Sequence, residues 1–179
     1  MTPLVRALGI LLVILARPVR AEGPPSFPDS AQLEFHGFRA GARLDELQAT
    51  VRRLDGGRLR CDRAKRDPRV SECRAVVNHP ELGAVDLWVS AMDSSAGVIT
   101  ISRSVDAELL ARWRQTLERR YGKVDATAQG SQWMMQWVRS GRMLRLTWRL
   151  DKRDKVASVS LVDGHVLDEW GRHQPSSSQ

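Results

Sequence analysis

The chain has 179 residues, with 28 Lys or Arg against 21 Asp or Glu, a formal charge of +7, and two cysteines. That length suits one domain with a core of its own, so neither a structural metal nor a dense disulfide framework is needed. Three of the basic residues lie in the first 21 positions; without them 25 bases face 21 acids, a balance of +4 that does not call for nucleic acid as a partner.

Arg6 precedes an unbroken apolar run from Ala7 to Ala16, which Pro18 ends, and Val19-Arg20-Ala21 offers the kind of site a signal peptidase cuts. The run is about half the ~20 residues of a membrane span, so residues 1–21 read as a signal peptide and not as a transmembrane segment. No cysteine follows to accept a lipid, and residues 22–32, rich in Gly and Pro, read as a flexible lead-in. The expected location is periplasmic or extracellular.

The domain is expected over 33–167. Leu33, Phe35 and Phe38 predict a short first strand, and Gly37 and Gly41 punctuate the way into a helix. There Leu44, Leu47, Val51 and Leu54 share one face, and Gly56-Gly57 stop the helix. Residues 58–70 read as a polar, arginine-rich connection. Three strands follow, in which Cys73, Ala75 and Val77, then Val85, Leu87, Val89 and Ala91, then Ile99 and Ile101 occupy alternate positions. A second helix starts near Asp106, buries Leu110, Trp113, Leu117 and Tyr121, and ends at Gly122. Three more strands lie around 132–139, 142–150 and 155–162. A tail from Asp168 to the end, 168–179, reads as disordered.

Turn lengths fix a register. A two-residue loop at Ser140-Gly141 sets Trp137 opposite Leu144, Met135 opposite Leu146 and Trp133 opposite Trp148. A four-residue loop at Asp151 to Asp154 sets Leu144 opposite Leu161, Leu146 opposite Val159 and Trp148 opposite Ala157, again on one face. Loops at 78–84 and 92–96 align Val77 with Val85, Ala75 with Leu87, Cys73 with Val89, and Leu87 with Ile101. Trp113, Trp133, Trp137 and Trp148 are assigned to the core. The fold class is α+β, in two layers: two helices packed on an antiparallel sheet built from two helix–three-strand halves, about 42–103 and 104–162.

Cys61 and Cys73 are expected to form a disulfide, stapling the crossing from helix to sheet. The eleven residues between them do not match common zinc spacings, so no metal is assigned.

The segment from Phe38 through Gly41 to Leu47, and the helix exit Leu117 to Gly122, carry a resemblance in architecture. A helix followed by three strands, used twice behind a signal peptide, resembles the tandem modules of the beta-lactamase-inhibitory-protein fold and the related single module of the SmpA/OmlA outer-membrane assembly lipoproteins. The resemblance implies protein binding and assigns no functional residue. The chain departs from the lipoproteins in lacking the lipid-acceptor cysteine, and Arg43 stands where a helix start favours Ser, Thr or Asp.

No nucleophile motif, phosphate-cradling loop or calcium loop is present, so no catalytic residue and no cofactor is assigned. Three features could bind a partner. One is the run Arg58, Arg60, Arg63, Lys65, Arg66 and Arg69, otherwise a solvated connection. Another is Trp88, placed between Arg74 and Thr100 on the face opposite the core, where Arg74 could stack on the indole unless another part of the chain covers it. The last is a mixed face of Met134, Val138, Met143, Arg145 and Arg149, which could instead pack beneath Val166, Leu167 and Trp170. The expected function is an exported, non-enzymatic binding or envelope-associated module for an envelope protein or anionic surface. The alternatives are an extracytoplasmic hydrolase using Asp86 or Glu108, and a structural secreted protein.

Overall fold

A computed structural model describes residues 32–151 and 154–172. The signal-peptide reading of 1–21, most of the lead-in and the last seven residues lie outside them. In chain order the elements are β1 (Glu34–Phe35), β2 (Phe38–Arg39), α1 (Leu44–Arg53), β3 (Arg60–Arg63), β4 (Val70–His79), β5 (Gly83–Met92), β6 (Ser95–Val105), α2 (Ala107–Tyr121), β7 (Thr127–Gln129), β8 (Gln132–Arg139), β9 (Arg142–Asp151), β10 (Asp154–Asp163) and α3 (Gly164–Arg172). β1 and β2 form a small ribbon. The other eight strands form one antiparallel sheet in the order β3-β4-β5-β6-β10-β9-β8-β7. The class is α+β, as expected.

The pairings derived from turn length hold across both meanders. Val77 faces Val85, Cys73 faces Val89 and Leu87 faces Ile101. Trp137 faces Leu144, Trp133 faces Trp148 and Leu146 faces Val159. Asp93-Ser94 and Ser140-Gly141 make two-residue turns with positive φ at both positions, the twist that matches antiparallel strands. The loops are shorter than expected, because backbone pairing continues to His79–Gly83, Met92–Ser95 and Asp151–Asp154.

One face of this sheet carries the core. Leu47 and Val51 of α1, and Leu110, Trp113, Leu117 and Tyr121 of α2, pack with Val77, Leu87, Ile101, Leu144 and Val159. Burying each such side chain contributes about 1.5–3 kcal/mol. The ribbon closes the same core: Phe35 meets Trp113 edge-on at 5.3 Å, and the Tyr121 hydroxyl donates to the Glu34 carbonyl at 2.6 Å. Asp106 caps α2 by accepting from the Leu109 amide at 2.7 Å. Arg43 does stand at the start of α1, where the Glu46 carboxylate accepts its backbone N–H, satisfying the donor a Ser cap would leave to the same partner.

Several expectations are corrected. The connection 58–70 contains β3, because Arg60 to Arg63 find a partner in β4 that their polar side chains do not announce. Cys61 and Cys73 are bonded as expected, but as direct neighbours on β3 and β4, so the bridge ties an edge strand to the sheet and not a helix to it. A loop of that size adds about 3 kcal/mol. β7 was not foreseen, and four strands, not three, follow each of α1 and α2. The domain does not stop at 167: residues up to Arg172, expected in a disordered tail, belong to α3. Trp133 is not a core residue. It shares the pleat side of Trp137 but is 47% exposed, whereas Trp137 is buried.

Candidate binding face

Pleat alternation sends every second residue of the sheet away from the helices. One row of these outward residues crosses seven strands: Arg60, Arg74, Trp88, Thr100, Ser160, Arg145 and Gln136 stand opposite one another in turn. At the usual strand spacing the row is about 29 Å long. Its middle is a carpet of hydroxyls, in which Thr100 and Ser160 are hydrogen-bonded at 3.1 Å, and Thr147 and Ser158 at 2.7 Å.

α3 lies against one end of this face. Leu167 and Val166 crowd the backbone of Gly97, and with Trp170 they line a small cleft that also includes Val70 and Met92. The Trp170 indole N–H donates to Asp67 at 3.2 Å. Asp67 is held at about 2 by the Arg69 guanidinium, which grips both its oxygens. Arg69 is thereby neutralised and leaves the set of available loop cations. The helix packs on the β4–β6 end, so Val138 is left 62% exposed instead of covered by the tail.

Beside Trp88 the face is hollowed into an open groove of about 760 Å³, lined by Arg58, Arg60, Arg74, Val76, Asp86 and Trp88 with the Gly56-Gly57 turn at its side. Trp88 and Arg74 therefore come together as the register required, and Trp88 is half-buried in the groove wall. The guanidinium of Arg74 does not stack on the indole; among the described residues the cation–π contacts involve Arg114, Arg120 and Arg139. Arg58 and Arg60 join the site, and the sequence held the signal for both: Arg60 pairs with Arg74 as soon as β3 is recognised.

The other expected site residues are dispersed. Arg145 lies at the far end of the same row, where it donates to Gln136 at 2.8 and 3.1 Å. Arg149 is exposed on the same face, opposite Gln132. Arg63 is set opposite Ser71, on the pleat side of the disulfide, and Arg66 stands in the β3–β4 loop. The two carboxylates considered for hydrolysis do not meet: Asp86 lines the groove, whereas Glu108 sits on α2, on the other side of the sheet, paired with Arg112. Among the described residues no group of three His, Cys, Asp or Glu side chains is placed to hold a metal, and no helix is long and apolar enough to cross a membrane.

A titratable cluster lies elsewhere. His36, at the tip of the β1–β2 turn, packs 4.6 Å from the His79 ring and 3.3 Å from Glu81. Burial and the neighbouring His79 lower its pKa, with Arg120 adding to them and Glu81 and Glu34 opposing. The folded chain thus binds this proton less readily than the unfolded one. His36 contributes stability that is present above pH ~6.5 and is lost as pH falls through its lowered folded pKa. Urea melts at pH 7.5 and 5.5 should show a drop on acidification that is smaller in His36→Asn, a residue that tolerates the positive φ found there. An equal drop in both proteins would refute the assignment.

Comparison with known proteins finds no match for this chain among protein-family models, curated proteins or solved structures.

Proposed function

We propose that the chain is an exported, non-enzymatic binding module that docks a partner of the cell envelope on its open sheet face. The observation that carries this reading is the outward row from Arg60 to Gln136, in which a tryptophan and three arginines stand on a rigid, hydroxyl-lined sheet. Trp and Arg dominate the energetics of protein recognition because each joins a large contact area to a directional polar group. Trp88, Arg74 and Arg145 stand on strands paired on both sides, which hold them without further loss of conformational freedom. The disulfide supports export, since such bridges persist in oxidising compartments. The order of helix followed by antiparallel strands, occurring twice, supports reading the chain as two related halves joined where β6 meets β10.

The test is selective retention. Immobilised mature chain should hold a stoichiometric component from an envelope extract. Trp88→Ala and Arg145→Glu should each weaken that retention about tenfold, or ~1.4 kcal/mol. If both variants hold the component as well as the parent, the open face is not the docking surface.

A further inference from the structure

We propose that the groove beside Trp88 binds the acidic sugar units of an anionic glycan, a specific ligand class that rests on the open-face reading above. The starting point is an unbalanced charge. Arg60 and Arg74 stand directly opposite each other on β3 and β4, an arrangement that destabilises a sheet when the charges are alike. Among the described residues no hydrogen bond or ion pair relieves Arg58, Arg60 or Arg74, although elsewhere on the molecule Arg39, Arg69, Arg112 and Arg142 each have an acid. Three unpaired guanidinium groups around one groove, with Asp86 the sole carboxylate in its lining, are complementary to an anion.

The disulfide adds a second observation. Cys61 and Cys73 are the adjacent cross-strand pair, so the bridge pins β3 in the register that holds Arg60 against Arg74. Without it, the short edge strand would be free to slide and separate the two charges.

The remaining lining says what carries the anion. The groove floor is the side-chain face of β4 and β5, whose backbone groups are engaged in the ladder, so recognition falls to side chains. An extended peptide would be recognised chiefly through its backbone, and the free edge beside the groove is that of β3, only four residues long. A lipid needs an enclosed apolar channel, whereas here the apolar lining of Ala75, Val76, Leu87 and Trp88 is open to solvent and edged by three arginines. An indole with arginines on its β4 side, and with Thr100 and Ser102 one strand further on the other, suits a ring with a flat C–H face, a carboxylate and several hydroxyls. The groove is open to solvent.

Calorimetric titration of the intact, oxidised protein with an oligomer of galacturonic acid tests this. Binding should be measurable with that probe and at least tenfold weaker with neutral dextran oligomers, with poly-glutamate and with phosphatidylglycerol vesicles. Trp88→Ala and Arg74→Gln should each weaken it at least tenfold. Trp88→Phe should stay within about threefold, and the double variant Lys65→Gln/Arg66→Gln within twofold. Reduction of the disulfide should weaken binding as Arg60→Gln does. Equal binding of poly-glutamate, equal loss in the Lys65/Arg66 variant, or full binding by Trp88→Ala would overturn the proposal. If the glycan fails while extract retention still depends on Trp88 and Arg145, the ligand class alone is wrong. If retention is also indifferent to both residues, the open-face reading fails with it.

Discussion

Replacing Trp113 by alanine is expected to lower the unfolding free energy by about 3–5 kcal/mol, the range for removing a large aromatic from a closed core. Trp113 is 2% exposed, contacts Phe35 edge-on and stands between α2 and the β1–β2 ribbon. Its removal therefore loosens two elements at once. Trp113→Phe makes a sharper comparison. The indole nitrogen is one of two buried side-chain polar atoms among the described residues that lack a hydrogen-bond partner, the other being Nε of Arg114. An orphaned buried donor costs roughly 1–3 kcal/mol, so phenylalanine loses bulk but also sheds that penalty. The net loss should be under about 1.5 kcal/mol. Denaturant melts of the two variants decide the matter; a phenylalanine variant as unstable as the alanine one would mean that the indole N–H is satisfied after all.

Asp163→Ala should cost about 3 kcal/mol, the lower end of the range for breaking a buried ion pair, because Arg142 is 31% exposed and keeps some water when its partner goes. The carboxylate, 2% exposed, does three things. It receives the Arg142 guanidinium at 2.7 Å across the β9–β10 ladder. It caps α3 by accepting the backbone N–H groups of His165 and Val166 at 3.0 and 3.3 Å. It also lies against Gly41, where a Cβ would collide with it. Asp163→Asn keeps an acceptor for the helix amides and gives up the ion pair, so its cost should fall between the alanine variant and the parent. Amide exchange at Val166 and Leu167 should accelerate more in alanine than in asparagine. A loss below 1 kcal/mol in Asp163→Ala would show that α3 is held by its apolar contacts alone.

The parts of the fold that were legible in advance are those fixed by pleat alternation. Both meanders could be registered because their turns are short and their apolar residues recur at every second position, so a slip by one residue would have exposed the whole set. The pairing of Arg74 with Trp88 and Thr100 followed from that register alone. β3 was missed because Arg60 to Arg63 are exposed edge residues with no apolar alternation, held by ladder bonds and one disulfide. For the same reason the sequence presents Arg60 as one charge in a loop and not as half of an opposed pair. α3 was missed because its apolar residues Val166, Leu167 and Trp170 occupy barely two turns, and its cap, Asp163, is also the last residue of a strand. Trp133 departs from the expected core because sidedness does not reveal how far a helix reaches: it stacks on Trp148 at 6.4 Å but remains about half exposed.

The seam between β6 and β10 bears on how the chain reaches this structure. From β4 to β6 and from β7 to β9, neighbouring strands are joined by turns of two or three residues, whereas the seam pairs residues 50 to 64 positions apart, from Val105 with Lys155 to Val98 with Val162. Local hairpins close in microseconds, but a contact across some fifty residues must first overcome the entropy of closing that long loop. Each meander should therefore be in place before the seam zips. The refolding rate would then be set by Ile99, Ile101, Val159 and Leu161, and changes at the outer strands would be felt mainly as faster unfolding.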